Sequence, residues 1–238
     1  MISILFDLFT TLSDRRLLHP CGDIQQAIHL AARYGGSPEN WLKAYERVQA
    51  DWDSYYADLD LGDDDGIEQM WEGMLRTTRA LFRLTATQEP SRDELAALLR
   101  ELPYLMTHRC DTLLPNTKPI LYLLHQSGYR LGVAAQVVQA QVKGILEGAG
   151  VWSLFDGPIL TPDTTGYFRQ DDAFFRPIGR EPQSTWIVSS QQAILEVARR
   201  CGMQTVWLRR NQTSDLIPAD VVLEGDLSGL FDRLPHRT

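Results

Sequence analysis

Positive charge is scarce in this chain. Lys and Arg together number 23 against 31 Asp and Glu, a formal net charge of -8 over 238 residues. Gripping a phosphate backbone needs a basic stripe, and none is visible, so no nucleic-acid partner is expected. Long apolar runs are also lacking: none approaches the roughly 20 residues that span a bilayer, so no membrane association is expected. The apolar opening Ile2–Phe6 is followed, not preceded, by the first basic residues, Arg15 and Arg16, the reverse of a secretory leader. Cysteine is rare, with Cys21, Cys110 and Cys201 far apart and no Cys-x-x-Cys. That pattern predicts free thiols in a reducing, cytoplasmic compartment and no cysteine-bound metal. The histidines, His19, His29, His108, His125 and His236, show neither His-x-His nor His-Glu-x-x-His spacing.

What is present is an α/β pattern. The opening strand, 2–7, ends in a single carboxylate, Asp7. From about residue 112 short apolar strands recur at "YRLGVAA", "GPILT", "TWIVS", "TVWLR" and "DVVLE". Helical runs are expected at 119–126, 137–148, 171–179 and 191–201 between them. Near-continuous apolar strands separated by helices imply a parallel sheet covered on both faces. Residues 14–110 differ and read as all-helical. Ser37-Pro38 is a helix start, Ser91 with Glu94 is a capping box, and Ile67, Met70, Trp71, Met74, Leu75, Leu81 and Phe82 recur at helical spacing. The expected organisation is a Rossmann-like, doubly wound parallel core (1–13 and 111–238) with an inserted helical cap (14–110).

Ligands of open parallel sheets bind beyond the carboxyl ends of the strands. Four such ends should converge: Asp7–Thr11, Ala135-Gln136, the loop 161–169, and Ser189-Ser190. Elsewhere, "DLDLGDDDG" (58–66) has Asp63 where a calcium loop requires glycine and Gln69 where it requires the bidentate glutamate, so it reads as a solvated acidic loop. Gly166 reads as a plain turn.

These motifs resemble the haloacid dehalogenase (HAD) superfamily with a C1-type helical cap, over nearly the whole chain. "FDLFTTL" is similar to the nucleophile motif, with Asp7 as nucleophile and Thr11 as its threonine. "GYRLGVAAQ", "TGYFRQDDAFF" and "WIVSSQQAILEVARRCGMQTVWLRRN" resemble the second, third and fourth motifs. By this resemblance the second acid of the phosphatases falls on Phe9, the motif-two Ser/Thr and Asn on Ala135 and Gln136, the motif-three lysine on Arg169, and the motif-four acids on Ser189 and Ile194. Arg47, on a cap helix, corresponds to a substrate-facing arginine of the dehalogenases or else is an exposed surface residue.

The substitutions have chemical consequences. A phosphatase of this type needs Mg²⁺ held by a second carboxylate, and general acid catalysis, which typically contributes about 10²–10⁴-fold; Phe9, Ser189 and Ile194 supply neither. A dehalogenase needs no metal and no proton on its leaving halide, and it carries an aromatic residue at the Phe9 position. Gln191, however, stands where those enzymes have Asn. The resemblance therefore implies a small-molecule hydrolase with no cofactor, Asp7 and Arg169 carrying the chemistry, and Phe9, Thr11, Gln136, Ser189 and Ser190 binding substrate. Alternatively Asp7 and Arg169 form a structural ion pair in a catalytically inactive module that binds a ligand or a partner protein. No residue pattern specifies an oligomeric state.

Overall fold

A computed structural model of the protein describes residues 2–62, 66–179, 182–210 and 218–235; Asp63 and His236 lie outside them. In chain order the elements are β1 (Ser3–Asp7), α1 (Arg15–Tyr34), α2 (Pro38–Ala50), α3 (Trp52–Tyr56), α4 (Gly66–Leu84), α5 (Arg92–Thr107), α6 (Thr117–Gln126), β2 (Arg130–Ala134), α7 (Gln139–Gly148), β3 (Ile159–Leu160), α8 (Pro162–Thr165), β4 (Thr185–Ser189), α9 (Gln192–Arg200), β5 (Gln204–Arg209), β6 (Val221–Glu224) and α10 (Leu230–Arg233). The chain divides into a sheet unit, Met1–Arg15, Thr112–Gln139 and Gly150–Thr238, and a helical unit, Arg16–Asp111 with Ala140–Ala149.

In the sheet unit six strands pair in parallel in the order β3-β2-β1-β4-β5-β6. Side chains alternate across a sheet, so register decides which of them share a face. Leu5 pairs with Gly132 on one side and with Ile187 on the other. Leu5, Ala134, Ile187 and Trp207 consequently meet on one face, where α9 covers them with Ile194, Leu195 and Ala198, and Phe174 and Phe175 complete the cluster. Two residues on from Leu5 and Ile187, on that same face, come Asp7 and Ser189.

The strand segments read from the sequence are all present; one helix is not. Within 171–179 the structure has turns and a single 3₁₀ turn, Arg176–Ile178. Asp171 Oδ1 accepts the N–H groups of Ala173 and Phe174, Pro177 lacks an amide hydrogen, and Gly179 sits at φ 73°. Together these divert the backbone from an α-helix.

The helical unit is organised around Trp41, Phe82, Leu30, Leu95 and Leu98, with Phe82 meeting the edges of both Tyr34 and Trp41. Ser37 caps α2 by accepting the Asn40 N–H, and Ser91 with Glu94 closes a capping box on α5. Two close approaches need glycine. A Cβ on Gly144 of α7 would stand 2.0 Å from Thr107 Oγ1, and one on Gly148 2.6 Å from the Cys110 carbonyl oxygen. Among the described residues no helix is long and apolar enough to cross a membrane.

The cysteines overturn one expectation. Cys21 and Cys110, 89 residues apart, are joined in a disulfide with their Cα atoms 5.9 Å apart, and Cys201 alone remains a free thiol. The pairing escapes a reading of spacing because it is tertiary: Gly22 lets α1 approach the Met106 carbonyl at the end of α5, which brings the two sulfurs together. In the chain-entropy account a loop of this size adds about 4–5 kcal/mol of stability.

Candidate active site

Asp7 ends β1 almost wholly buried, at 4% exposure. Its Oδ2 accepts two hydrogen bonds, from Ser189 Oγ and from Gln191 Nε2, each at 3.0 Å. Ser189 Oγ in turn accepts the Gln191 N–H at 2.9 Å, so its one proton is committed to the carboxylate and the chain of bonds is mutually polarising. Burial pushes the Asp7 carboxyl up to about 6, against the lowering effect of Ser189, Gln191 and the Leu8 N–H; desolvation outweighs hydrogen bonding here. Among the described residues no side-chain donor reaches Oδ1. Gln191 is otherwise largely exposed.

The segment after Asp7 folds back on itself. Leu8 O accepts the N–H groups of Leu12 and Ser13, and Thr10 N donates to Ser13 O. Thr10 holds φ 65°, an outlying conformation for a β-branched residue. Its hydroxyl lies 2.5 Å from both the Phe9 carbonyl and Ser190 Oγ. Thr11, fully buried, accepts the Ser190 N–H through Oγ1 at 3.1 Å, and its carbonyl takes a bond from Arg210 Nη2. The loops after β1 and β4 are thus stitched together on both sides of the carboxylate.

Of the residues singled out from the sequence, Asp7, Thr11, Ser189 and Ser190 come together by these bonds. Phe9 is half-buried with the Arg15 guanidinium 5.8 Å over its ring. Gln136 follows β2, which pairs with β1, but it is exposed and has no hydrogen bond within this group. The ion pair expected between Asp7 and Arg169 is absent: Arg169 is exposed, and no charged side chain figures among the influences on Asp7. Neutral donors satisfy the carboxylate instead. The loop carrying Arg169 is tied elsewhere, with Asp163 accepting the Gln139 N–H and the Thr161 hydroxyl. Gly166 ends α8 at φ 84° with open space around it, so it serves the turn. Arg47 is exposed.

Thr10 and Gln191 were missing from the residues assigned to the site. Thr10 lay within the strand end Asp7–Thr11, but its left-handed conformation is not foreseeable from sequence. Gln191 had a signal: it adjoins Ser189-Ser190 at the end of β4, and its longer side chain reaches the carboxylate all the same.

The donor set does not fit a magnesium ion. Mg²⁺ requires hard oxygen ligands in a near-octahedral shell. Here a hydroxyl proton and an amide N–H are both directed at Asp7, Phe9 and the buried Ile194 contribute hydrocarbon, and no cluster of three metal-ligating side chains exists among the described residues.

Solved structures match this architecture over its whole length. A HAD phosphatase from Thermococcus onnurineus matches with a TM-score of 0.58 and 22% identity, covering 99% of each chain. The fold is that of the HAD superfamily. The putative HAD hydrolase YfnB from Bacillus subtilis, bound to magnesium, matches with a TM-score of 0.57 and 16% identity over 97% of each chain. An L-2-haloacid dehalogenase from Xanthobacter autotrophicus, with chloropropionic acid covalently bound, matches with a TM-score of 0.52 and 16% identity over 97% of each chain. Neither a protein-family model nor a curated protein sequence matches the chain. The HAD fold therefore accommodates both metal-bound and covalently trapped centres, and the side chains must decide between them.

Proposed function

We propose that this HAD-fold protein is a metal-independent hydrolase of small organic molecules, of dehalogenase rather than phosphatase type, with Asp7 as nucleophile. The observation that carries this reading is the Asp7 carboxylate, fixed through Oδ2 by Ser189 and Gln191. Oδ1 attacks a saturated carbon. The carbon–oxygen ester bond forms as the carbon–halogen bond breaks, and the halide departs with the bonding pair and needs no proton. Ser189 and Gln191 keep the carboxylate oriented and ionised, while Thr10, Thr11 and Ser190 hold the two loops in place; Phe9 offers an apolar wall to the substrate.

Hydrolysis of the ester is the weaker half. Water must attack, lose a proton and release the alcohol product, and the groups hydrogen-bonded to Asp7 are neutral donors unable to accept that proton. Ile194, where the resemblance implies a water-activating acid, is 5% exposed within the core. This favours a second reading, a binding module with no turnover.

Incubation with 2-halocarboxylates and phosphate monoesters, followed by intact-mass and peptide analysis, tests both. An adduct on Asp7, absent in Asp7→Asn, with product release supports the hydrolase; an adduct that accumulates without release restricts the protein to the first half-reaction. Identical behaviour of wild type and Asp7→Asn across the panel would remove the hydrolase and leave the binding module.

A further inference from the structure

We propose that Asp23 and Gln26 of α1 share one proton, Asp23 Oδ1–H donating to Gln26 Oε1, and that this proton helps fasten α1 to α2. Both oxygens are buried, and neither has a hydrogen-bond partner among the described residues. Gln26 as a whole is 3% exposed. Buried acceptors without donors are costly. An ionised carboxylate and an amide carbonyl both only accept, so neither can serve the other. One proton on Asp23 makes it a donor and satisfies both.

The positions bring the two side chains together. Residues three and four apart on a helix stand side by side, and His19, Asp23 and Gln26 follow one another at that spacing along α1. α2 meets them in the opposite direction. Gln49 Nε2 is hydrogen-bonded to His19 Nδ1 at 3.2 Å, and the Tyr45 side chain hydrogen-bonds the Asp23 carboxyl. The same register brings Gln26 to Trp41 and Leu42, which have no donor to spare. Leu42 is hydrocarbon, and the Trp41 indole N–H is given to the Gly35 carbonyl at 2.9 Å.

The surroundings of Asp23 favour the protonated form. Burial pushes its carboxyl up to about 6; the Tyr45 bond lowers it and the Glu46 charge raises it. Tyr45 and Glu46 face it from α2 and His19 adjoins it on α1, while no basic side chain figures among the influences on it. The folded protein therefore keeps the proton where the unfolded chain, at its ordinary 3.8, has released it. Stability from this group is full at low pH, is lost as pH rises from about 4 to about 6, and stays lost above that. There the ionised Asp23 faces Gln26 Oε1 with no proton between them, and the contact loosens.

The test uses the full chain. In carbon-13 titration the Asp23 carboxyl and the Gln26 side-chain carbonyl should move together, with one midpoint near 6. In Asp23→Asn, whose amide N–H takes the place of the proton, the Gln26 signal should stay flat. Urea unfolding of the two proteins gives the sign: the ratio of their unfolding constants should shift about tenfold in favour of the variant from pH 4 to pH 8, less than the full shift implies because Asp23 is half-buried. Asp7 is present in both, so its own titration cancels. Amide protection over 23–30 and 42–49, corrected for intrinsic exchange, should fall about fivefold from pH 5 to pH 7.5 in wild type and hold steady in the variant. A Gln26 amide turned the other way, its N–H on the carboxylate, gives the opposite results: an Asp23 midpoint at or below 3.8 and a ratio favouring wild type as pH rises. Either of these, a Gln26 signal that does not titrate, or unchanged protection would overturn the proposal. None of these readouts depends on hydrolytic activity.

Discussion

Ser189 gives its hydroxyl proton to Asp7 Oδ2 at 3.0 Å because the two residues lie on the same face of adjacent parallel strands, each two residues past the paired Leu5 and Ile187. Ser189→Ala removes a bond that favours the charged carboxylate. The Asp7 carboxyl, already at about 6, should rise further, by roughly half a unit to one unit, and the fold should lose about 1 kcal/mol. Carbon-13 titration of the Asp7 carboxyl and urea unfolding measure the two effects.

Asp7→Asn should stabilise the protein at neutral pH. Asp7 titrates higher in the folded state, about 6, than its ordinary 3.8, so between those values the native state holds a proton that the unfolded chain has released. Stability from this group is therefore greatest at low pH, is lost as pH rises from about 4 to about 6, and stays lost above that. The variant should gain roughly 1–2 kcal/mol at pH 8, the gain vanishing towards pH 4. Thermal unfolding across pH 4–8 checks the sign. Ester formation at Asp7, where it occurs, should follow the ionised fraction and fall about tenfold from its plateau by pH 5.

Ile194→Asp would restore the acid that the resemblance places there, yet it should fail to create turnover. Ile194 packs against the core beside Leu195 and Ala198, and an uncompensated carboxylate in such a site costs about 3–5 kcal/mol. A lowered urea midpoint with no product release is the expected result. Restored release would show that the site opens to water more readily than the packing implies.

Gly144→Ala should destabilise the helical unit. The new methyl group would stand 2.0 Å from Thr107 Oγ1 and 2.9 Å from the Tyr104 carbonyl oxygen, and relief requires backbone movement costing about 2–3 kcal/mol. Gly166→Ala is the contrast: space is open there, and the penalty of roughly 1 kcal/mol comes from its φ of 84° alone. Paired melting curves separate crowding from conformation.

The sheet was legible because its strands are short, apolar and bounded by turn residues. So were the Ser37 and Ser91 caps, which depend on residues only three positions apart. That Asp7, Thr11, Ser189 and Ser190 would meet was legible because each lies at or just past a strand's carboxyl end. That Asp7 would pair with neutral donors and not with Arg169 was not legible, since a charge count does not show which donors a register delivers. The disulfide and the Gly22 and Gly144 contacts belong to helix packing between distant segments, which local patterns do not report. The helix expected over 171–179 failed because Asp171 captures two backbone amides, Pro177 lacks an amide hydrogen and Gly179 takes a positive φ.

The pairing of Leu5 with Ile187 carries a consequence for how this site can be lost. Asp7 meets Ser189 through parity, an even number of residues beyond a shared register point. Insertion or deletion of one residue within β1 or β4 would turn one of the two towards the opposite face, although every side chain remained present. Replacements at Phe9, Gln136 and Arg169 leave that parity untouched. The chain can therefore vary its chemistry widely while the frame that aims Asp7 tolerates no slip of a single position.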